Sequence, residues 1–98
     1  MQDNEQNITL RTTLPVLTKR GNFICEFDCE IDFACWEYKT DEWDWEPRKV
    51  TMTGCDFYKQ HSFDDKSDPA MWEVVLRALK HEDDYIAERL HELLREAA

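Results

Sequence analysis

The strongest pattern in the chain is an alternation of apolar and acidic residues between positions 23 and 35. Apolar side chains occupy the odd-numbered positions: Phe23, Cys25, Phe27, Cys29, Ile31, Phe33 and Cys35. Carboxylates occupy four of the even-numbered positions between them: Glu26, Asp28, Glu30 and Asp32. Because successive side chains of a strand point to opposite faces, the segment predicts one long β-strand with an apolar face and an acidic face. The acidic face must meet water or a basic partner, since unpaired buried charge is too costly.

Two further segments are predicted to pair with this strand. Upstream, apolar residues alternate with polar ones and predict a first strand whose inner residues are Ile8, Leu10, Leu14 and Val16. Pro15 cannot donate a backbone hydrogen bond, so this strand is expected at a sheet edge. Downstream, Lys49–Thr53 begins a third strand, and residues 58–65 are predicted to form a loop. The alternation slips at Ala34–Trp36, which predicts a bulge in the long strand there.

The C-terminal third of the chain predicts helical structure. Ser67-Asp68-Pro69 combines a capping side chain with proline at the first helical position. An apolar stripe follows at Trp72, Val75, Leu76 and Leu79, and a second at Ile86, Leu90, Leu93, Leu94 and Ala97. Residues 81–84 interrupt the stripes, which favours two helices over a single continuous one.

These elements predict one α+β domain over residues 1–98. Its core is a three-stranded antiparallel sheet with a long bent central strand, covered on one face by one or two C-terminal helices. Residues 1–7 are expected to be a flexible N-terminus, residues 8–58 to form antiparallel hairpins, and residues 68–97 to be helical. The helices are expected to cover the whole Phe23–Cys35 face and to leave the carboxylates open to solvent.

The net charge narrows the choice of partner. The chain carries 22 acidic and 12 basic residues, for a net charge of −10. Residues 23–48 hold nine of the acidic residues and only two basic ones. Direct binding to nucleic acid or to an acidic membrane is therefore not expected, because phosphate recognition needs lysine and arginine. A basic protein surface is the expected partner.

The four cysteines are interpreted as free thiols. Cys25, Cys29 and Cys35 share the apolar face of one strand, where Cys25 and Cys29 would lie about 13 Å apart. A single zinc ion needs all its sulfur ligands within about 2.3 Å, so these three cannot form one site. All three are expected to be buried and reduced. A metal site or a disulfide that includes Cys55 is the less favoured alternative, and no metal or cofactor is predicted.

No catalytic motif is present, so the chain is not predicted to be an enzyme. His91-Glu92-Leu93-Leu94-Arg95 has arginine where the zinc-binding helix motif needs a second histidine. Gly21 and Gly54 are the only glycines, which excludes a glycine-rich phosphate loop. The N-terminus lacks the basic and apolar regions of a signal peptide, and no apolar run approaches membrane-spanning length. A cytoplasmic location is expected.

The segment 39–48 predicts an acidic hairpin tip that is rich in tryptophan. Its rings are either exposed anchors for a protein partner or extensions of a small core. The predicted partner-binding surface combines this tip with the carboxylates of the long strand. Its residues are Glu26, Asp28, Glu30, Asp32, Trp36, Asp41, Glu42, Trp43, Asp44, Trp45 and Glu46. The alternative interpretation of the carboxylates is the ordinary solvated outer face of an antiparallel sheet.

In its size, its charge and its rows of carboxylates, the chain resembles small acidic proteins of bacteriophages and other mobile elements. Anti-restriction and anti-CRISPR proteins that imitate DNA are the best-known class. The resemblance implies an inhibitor that occludes the nucleic-acid-binding surface of a host protein. The rival hypothesis is a small structural or assembly protein, including a homodimer that uses the tryptophan-rich tip or the helical face.

Overall fold

The fold is an antiparallel sheet packed against two C-terminal helices. The computed structural model describes residues 5–37, 43–53 and 61–97. The α+β class predicted from the sequence is confirmed. The strands are β1 (Gln6–Leu17), β2 (Phe23–Glu37), β3 (Trp43–Met52) and β4 (His61–Phe63), and the helices are α1 (Pro69–His81) and α2 (Asp83–Ala97). The strands lie in the order β1-β2-β3-β4, with each neighbouring pair antiparallel.

The sheet has four strands rather than the predicted three. The additional strand, β4, lies within the stretch that the sequence predicted as a loop. It pairs with the end of β3 through Val50↔Phe63, Thr51↔Ser62 and Met52↔His61. Three residues are too few for a period of two to emerge from the sequence. β4 buries Phe63 under the helices, where its ring meets Trp72 edge to face with the ring centroids 6.4 Å apart.

A tight turn joins β1 to β2. Gly21 has a φ of +86°, a conformation that L side chains rarely adopt. Its N–H donates to the Thr18 carbonyl at 2.9 Å, and the Thr18 N–H donates to the Asn22 carbonyl at 2.9 Å. The pairing then continues without interruption from Val16↔Cys25 to Gln6↔Cys35. As expected from Pro15, β1 is an edge strand.

Two register shifts interrupt the sheet: one in the β1–β2 pair, between Val16 and Leu17, and one in the β2–β3 pair, between Asp32 and Phe33. The additional residue of the second lies on β3, so the bulge predicted in β2 near Ala34–Trp36 is misplaced. Asp32 pairs with Lys49 and Phe33 pairs with Pro47, which leaves Arg48 as the additional residue. β3 also begins at Trp43, six residues before the predicted start at Lys49. The proline and acidic residues of positions 43–48 locally favour a hairpin tip over a strand. Pairing with β2 overrides those local preferences.

The core lies between the inner face of the sheet and the two helices. From β2 it takes the buried side chains of Cys29, Ile31, Phe33 and Cys35. The other strands and the helices complete it with Leu10, Leu14, Val50, Phe63, Val75, Ala78, Leu79, Ile86, Leu90 and Leu94. Most of the predicted helical stripe is buried, but Leu76 is 43% exposed and Ala78 takes the buried position instead.

The helices do not cover the whole apolar face of β2. Phe23 is 64% exposed, Cys25 is also exposed, and Phe27 is half-buried, so the prediction of a fully covered face is wrong at this end. The register between β1 and β2 shifts at this end, because Val16 pairs with Cys25 and Leu17 pairs with Phe23. Leu17 is buried where α1 reaches it, whereas its partner Phe23 is not. Both helices lie closest to β1 and protect only the later part of β2.

The helical segment consists of two helices, which was the favoured interpretation of the sequence. The Asp68 carboxylate caps α1 by accepting a hydrogen bond from the Met71 N–H at 3.1 Å, with Pro69 at the first helical position. The Glu82 N–H closes the last turn of α1 by donating to the Ala78 carbonyl. Asp83 and Asp84 then lie in the first turn of α2, where negative charge interacts favourably with the helix dipole.

We expect Phe33→Ala to lower the free energy of unfolding by about 3–5 kcal/mol, because it leaves a cavity in the core. Phe23→Ala removes the same group at the exposed end of the same strand and should cost less than about 0.5 kcal/mol. Urea denaturation of the two variants measures the difference. Equal losses would contradict the partial cover described above.

Candidate acidic binding face

The outer face of the sheet, opposite the helices, carries most of the predicted binding residues. The strand register places the carboxylates of β2 and β3 together there. We call this surface the acidic face and define it by Glu26, Asp28, Glu30, Asp32, Asp44 and Glu46. Each of these side chains is exposed or half-buried. Along β2, successive carboxylates are about 7 Å apart, which is twice the rise of a strand residue.

Threonines of β1 hold two of these carboxylates in place. The Thr13 hydroxyl donates to Asp28 Oδ1 at 2.6 Å, and the Thr9 hydroxyl donates to Asp32 Oδ1 at 2.8 Å. Both contacts join residues that are directly opposite each other across the β1–β2 pair. Hydrogen bonds to an ionised acceptor are stronger than neutral ones. The hydroxyls therefore fix the orientation of the carboxylates without neutralising their charge.

Basic residues offset only part of the negative charge. Lys49 Nζ lies 3.7 Å from Asp32 Oδ2, and Arg11 Nε lies 4.0 Å from Glu30 Oε1. Arg48 reaches Glu46 at 2.9 Å from its position on the bulge. These pairs are solvent-exposed, and such pairs typically contribute less than about 1 kcal/mol each. Within residues 5–37, 43–53 and 61–97, the six carboxylates outnumber the three bases paired with them here, so this part of the face remains negative.

The residue opposite Glu26 brings no charge, because it is Pro15. Glu26 is exposed and marks the end of the acidic face nearest the β1–β2 turn. Because Arg11 lies on the neighbouring predicted strand, the sequence alone allows it to offset one carboxylate. The sequence does not identify the roles of Thr9, Thr13 and Lys49, which depend on the strand register. The alternation Thr9-x-Arg11-x-Thr13 is the sequence signal that points to them.

The structure decides between the two interpretations of the tip for one of its tryptophans. Trp45 lies on the inner face of the sheet and packs edge to face on Phe33, with ring centroids 5.3 Å apart. Its ring extends the core, which was the alternative interpretation. Trp36 is half-buried and pairs with Asp44. Asp41 and Glu42 lie outside the described residues, as does the side chain of Trp43.

The thiols divide into two environments. Burial raises the pKa of Cys29 to about 12, with a smaller contribution from the Asp28 carboxylate, and burial raises the pKa of Cys35 to about 11. Cys25 is exposed, so the prediction that all three are buried is wrong for this residue. Cys55 lies outside the described residues. In the part of the chain that the structure describes, no three histidine, cysteine or carboxylate side chains are grouped to hold a metal ion.

The chain matches no protein-family model, no curated protein and no solved structure. Within residues 5–37, 43–53 and 61–97, no helix is both long enough and apolar enough to cross a membrane. The function of the chain is therefore inferred from the geometry and the charge of the acidic face.

We expect Cys25 to react rapidly with a thiol-alkylating reagent at neutral pH, because its side chain is accessible. Cys29 and Cys35 should react about tenfold more slowly or worse, since burial excludes the reagent and disfavours the thiolate. Peptide mass spectrometry of the native protein after brief labelling distinguishes the sites. Equal labelling of Cys25 and Cys29 would show that the later part of β2 is not in the core.

The Thr13–Asp28 hydrogen bond should appear as a coupling energy. Thr13→Val and Asp28→Ala, combined in a double-mutant cycle, should couple by about 0.5–1.5 kcal/mol in the free energy of unfolding. Asp32→Ala paired with Thr13→Val is the control, because Asp32 bonds to Thr9 instead, and this pair should be additive to within about 0.5 kcal/mol. Zero coupling between Thr13 and Asp28 would mean that the threonine does not orient the carboxylate.

Proposed function

We propose that this chain is a non-enzymatic binding protein that docks its acidic face on a basic, nucleic-acid-binding surface of a partner protein. Docking occludes that surface. The protein then acts in the manner of a phage-encoded inhibitor of a host defence or nucleic-acid-processing complex. The site of action under this proposal is a cytoplasm, where free thiols persist.

The observation that carries the proposal is a negative sheet face that the helices leave bare. In α+β domains, a sheet face that no helix covers normally contacts solvent, and a mixture of acidic and basic residues is sufficient for that. Here the even-numbered positions of β2 from Glu26 to Asp32 are all acidic. The spacing of about 7 Å along that row is twice the axial spacing of phosphates along one DNA strand, which is about 3.4 Å.

The threonine contacts support a binding role in a second way. Asp28 and Asp32 already have fixed orientations in the free protein, because Thr13 and Thr9 donate to them. Side chains that are ordered before binding lose less conformational entropy when a partner docks. A rigid row of charges on a paired strand also presents a constant pattern to the partner. Carboxylates on mobile loops would not have this property.

The same geometry determines how the complex should form. A negative face attracts a basic groove over a distance comparable to the Debye length, so association should be fast at low salt and slower at high salt. Trp45 packs against the core and is not available as a buried anchor. Affinity therefore depends mainly on the carboxylates and on the shape of the sheet.

The test compares two sets of isosteric amide substitutions. The face variant carries Glu26→Gln, Asp28→Asn, Glu30→Gln and Asp32→Asn, which keep the hydrogen-bond acceptors and remove four charges. The control variant removes four exposed charges from the helices through Glu73→Gln, Asp84→Asn, Glu88→Gln and Glu96→Gln. Both variants have the same net charge, so only the position of the charge differs.

The assay first isolates a partner on the immobilised wild-type chain and then measures occlusion directly. A fluorescent DNA duplex or RNA strand that the isolated partner binds is titrated in the presence of each variant. Wild type and the control variant should displace the nucleic acid, whereas the face variant should need at least tenfold more protein. Displacement by the face variant at wild-type concentrations, with folding confirmed by circular dichroism, would refute the proposal. A ternary complex of chain, partner and nucleic acid would refute it as well.

A further inference from the structure

The two edges of the sheet differ greatly in length. At one edge, β4 has three residues and spans about 10 Å. At the other, β1 has 12 residues and spans about 40 Å. Among the described residues, β1 pairs with β2 only. A long unpaired edge is a template for another strand, and natural proteins usually shorten or block such edges.

The free backbone groups of β1 belong to its odd-numbered residues. The Thr53 N–H donates to the Asp28 carbonyl at 3.1 Å, so the backbone polar groups of even-numbered residues in this part of β2 point to β3. The backbone polar groups of Cys29 and Ile31 therefore point to β1, where these two residues pair with Thr12 and Leu10. It follows that the odd-numbered residues of β1 direct their backbone groups outward, away from β2. These residues are Asn7, Thr9, Arg11 and Thr13, and all four are exposed.

One end of this edge is blocked and the other is open. Pro15 lacks an N–H and is itself buried, and the register shifts between Val16 and Leu17. Arg77 Nη1 of α1 donates to the Leu17 carbonyl at 2.8 Å, which occupies that end of the edge. The stretch from Gln6 to Leu14 contains no proline and no bulge. Its centre is Leu10.

We propose that two copies of this chain associate by antiparallel pairing of their β1 strands about a two-fold axis at Leu10. This register pairs Thr9 with Arg11 and Asn7 with Thr13 of the second copy, and it uses the whole open stretch. A register centred on Arg11 would place two guanidinium groups directly opposite each other, which is destabilising. A register centred on Thr12 would place Thr9 of one copy opposite Pro15 of the other, and Pro15 has no N–H to donate.

Charge favours a second copy as the occupant of this edge. The chain has a net charge of −10, but the outward residues of the open stretch include no acid. The side chain of Arg11 is 77% exposed and lies 4.0 Å from Glu30, so its own chain engages it weakly. In the paired sheet, Arg11 lies between Glu30 of its own copy and Thr9 of the second copy. The hydroxyl of that Thr9 donates to Asp32 of the second copy. Each copy therefore brings one additional base towards the other copy's carboxylates.

A groove beside the edge fits the same register. It has a volume of about 400 Å³ and is lined by Thr12, Thr13, Glu82 and the half-exposed Tyr85. The two-fold at Leu10 places Ile8 of the second copy opposite Thr12, on the inner face and next to this groove. Ile8 is only half-buried within its own chain. The isologous contact thus buries Ile8 against Tyr85 twice, once on each side of the axis.

Pairing about this axis gives one continuous eight-stranded sheet. The axis is perpendicular to the sheet, so the acidic faces of both copies lie on the same side. The inference does not depend on the proposed function, since it concerns the edge and not the acidic face. It does imply that a partner would meet two rows of carboxylates flanking the central β1 strands.

The first test is the oligomeric state of a matched pair of variants. Sedimentation velocity at about 100 µM chain and about 0.3 M salt should show wild type at twice its 11.8 kDa mass, because salt screens the repulsion between two acidic chains. Arg11→Ala removes the side chain but keeps the N–H, and it should retain at least part of the dimer. Arg11→Pro also removes the outward N–H, which makes no hydrogen bond among the described residues, and it should be monomeric. A monomeric wild type, or a dimer that Arg11→Pro leaves intact, would overturn the inference.

The second test needs no variant and therefore does not depend on how Arg11→Pro folds. Amide hydrogen exchange of the wild type, followed by NMR, should protect Thr9, Arg11 and Thr13 as well as the even-numbered residues of β1. In a monomer, the described part of the chain provides backbone acceptors for the even-numbered amides of β1 alone, so the odd-numbered amides would exchange at least tenfold faster. Fast exchange at those three positions contradicts pairing. Nucleic-acid displacement by the acidic face would still be testable after that result, so the two proposals can fail separately.

Discussion

The alternation of side chains along β2 is the constraint on which the rest of the structure depends. β2 pairs on both sides, with β1 and with β3, so its register is fixed over most of its length. A slip of one residue would turn Ile31 and Phe33 to solvent and bury Glu30 and Asp32 under the helices. The cost of burying those charges excludes the alternative. The alternation in β2 therefore determines both which face of the sheet forms the core and which face carries the carboxylates.

The same period explains which parts of the fold could be predicted. Strands β1 and β2 and both helices have long, regular patterns, and the structure contains each of them. β4 has three residues, and β3 begins in a segment rich in acids and proline, so neither boundary carries a clear local signal. How far the core extends along β2 could not be predicted from the sequence either. Phe23 and Phe33 occupy equivalent positions in the pattern, but the register shift between Phe23 and Cys25 and the placement of the helices separate them in the structure.

The candidate site likewise contains features that the sequence predicts and features that it does not. That Glu26, Asp28, Glu30 and Asp32 share one face follows from alternation alone. The contacts that hold them require the register between strands, which depends on the turn at Gly21 and on the additional residue in β3. Trp45 illustrates the limit: its sequence context left an exposed anchor and a core residue equally open, and the pairing Cys35↔Trp45 directs it inward onto Phe33. Local composition did not decide between the two, whereas strand pairing determined a core residue.

The choice of threonine opposite two of the carboxylates bears on whether the acidic face is more than a solvated surface. A lysine at position 9 or 13 would stabilise the sheet by pairing with the opposite aspartate, and it would also cancel the charge. Thr9 and Thr13 instead satisfy one acceptor oxygen of each aspartate and leave the charge in place. Lys49 approaches Asp32 only to 3.7 Å, and Arg11 approaches Glu30 only to 4.0 Å. The neighbouring strands thus order the carboxylates more than they neutralise them. A surface that only had to remain soluble would gain nothing from ordered carboxylates, whereas a surface that binds a basic partner would gain both affinity and a defined geometry.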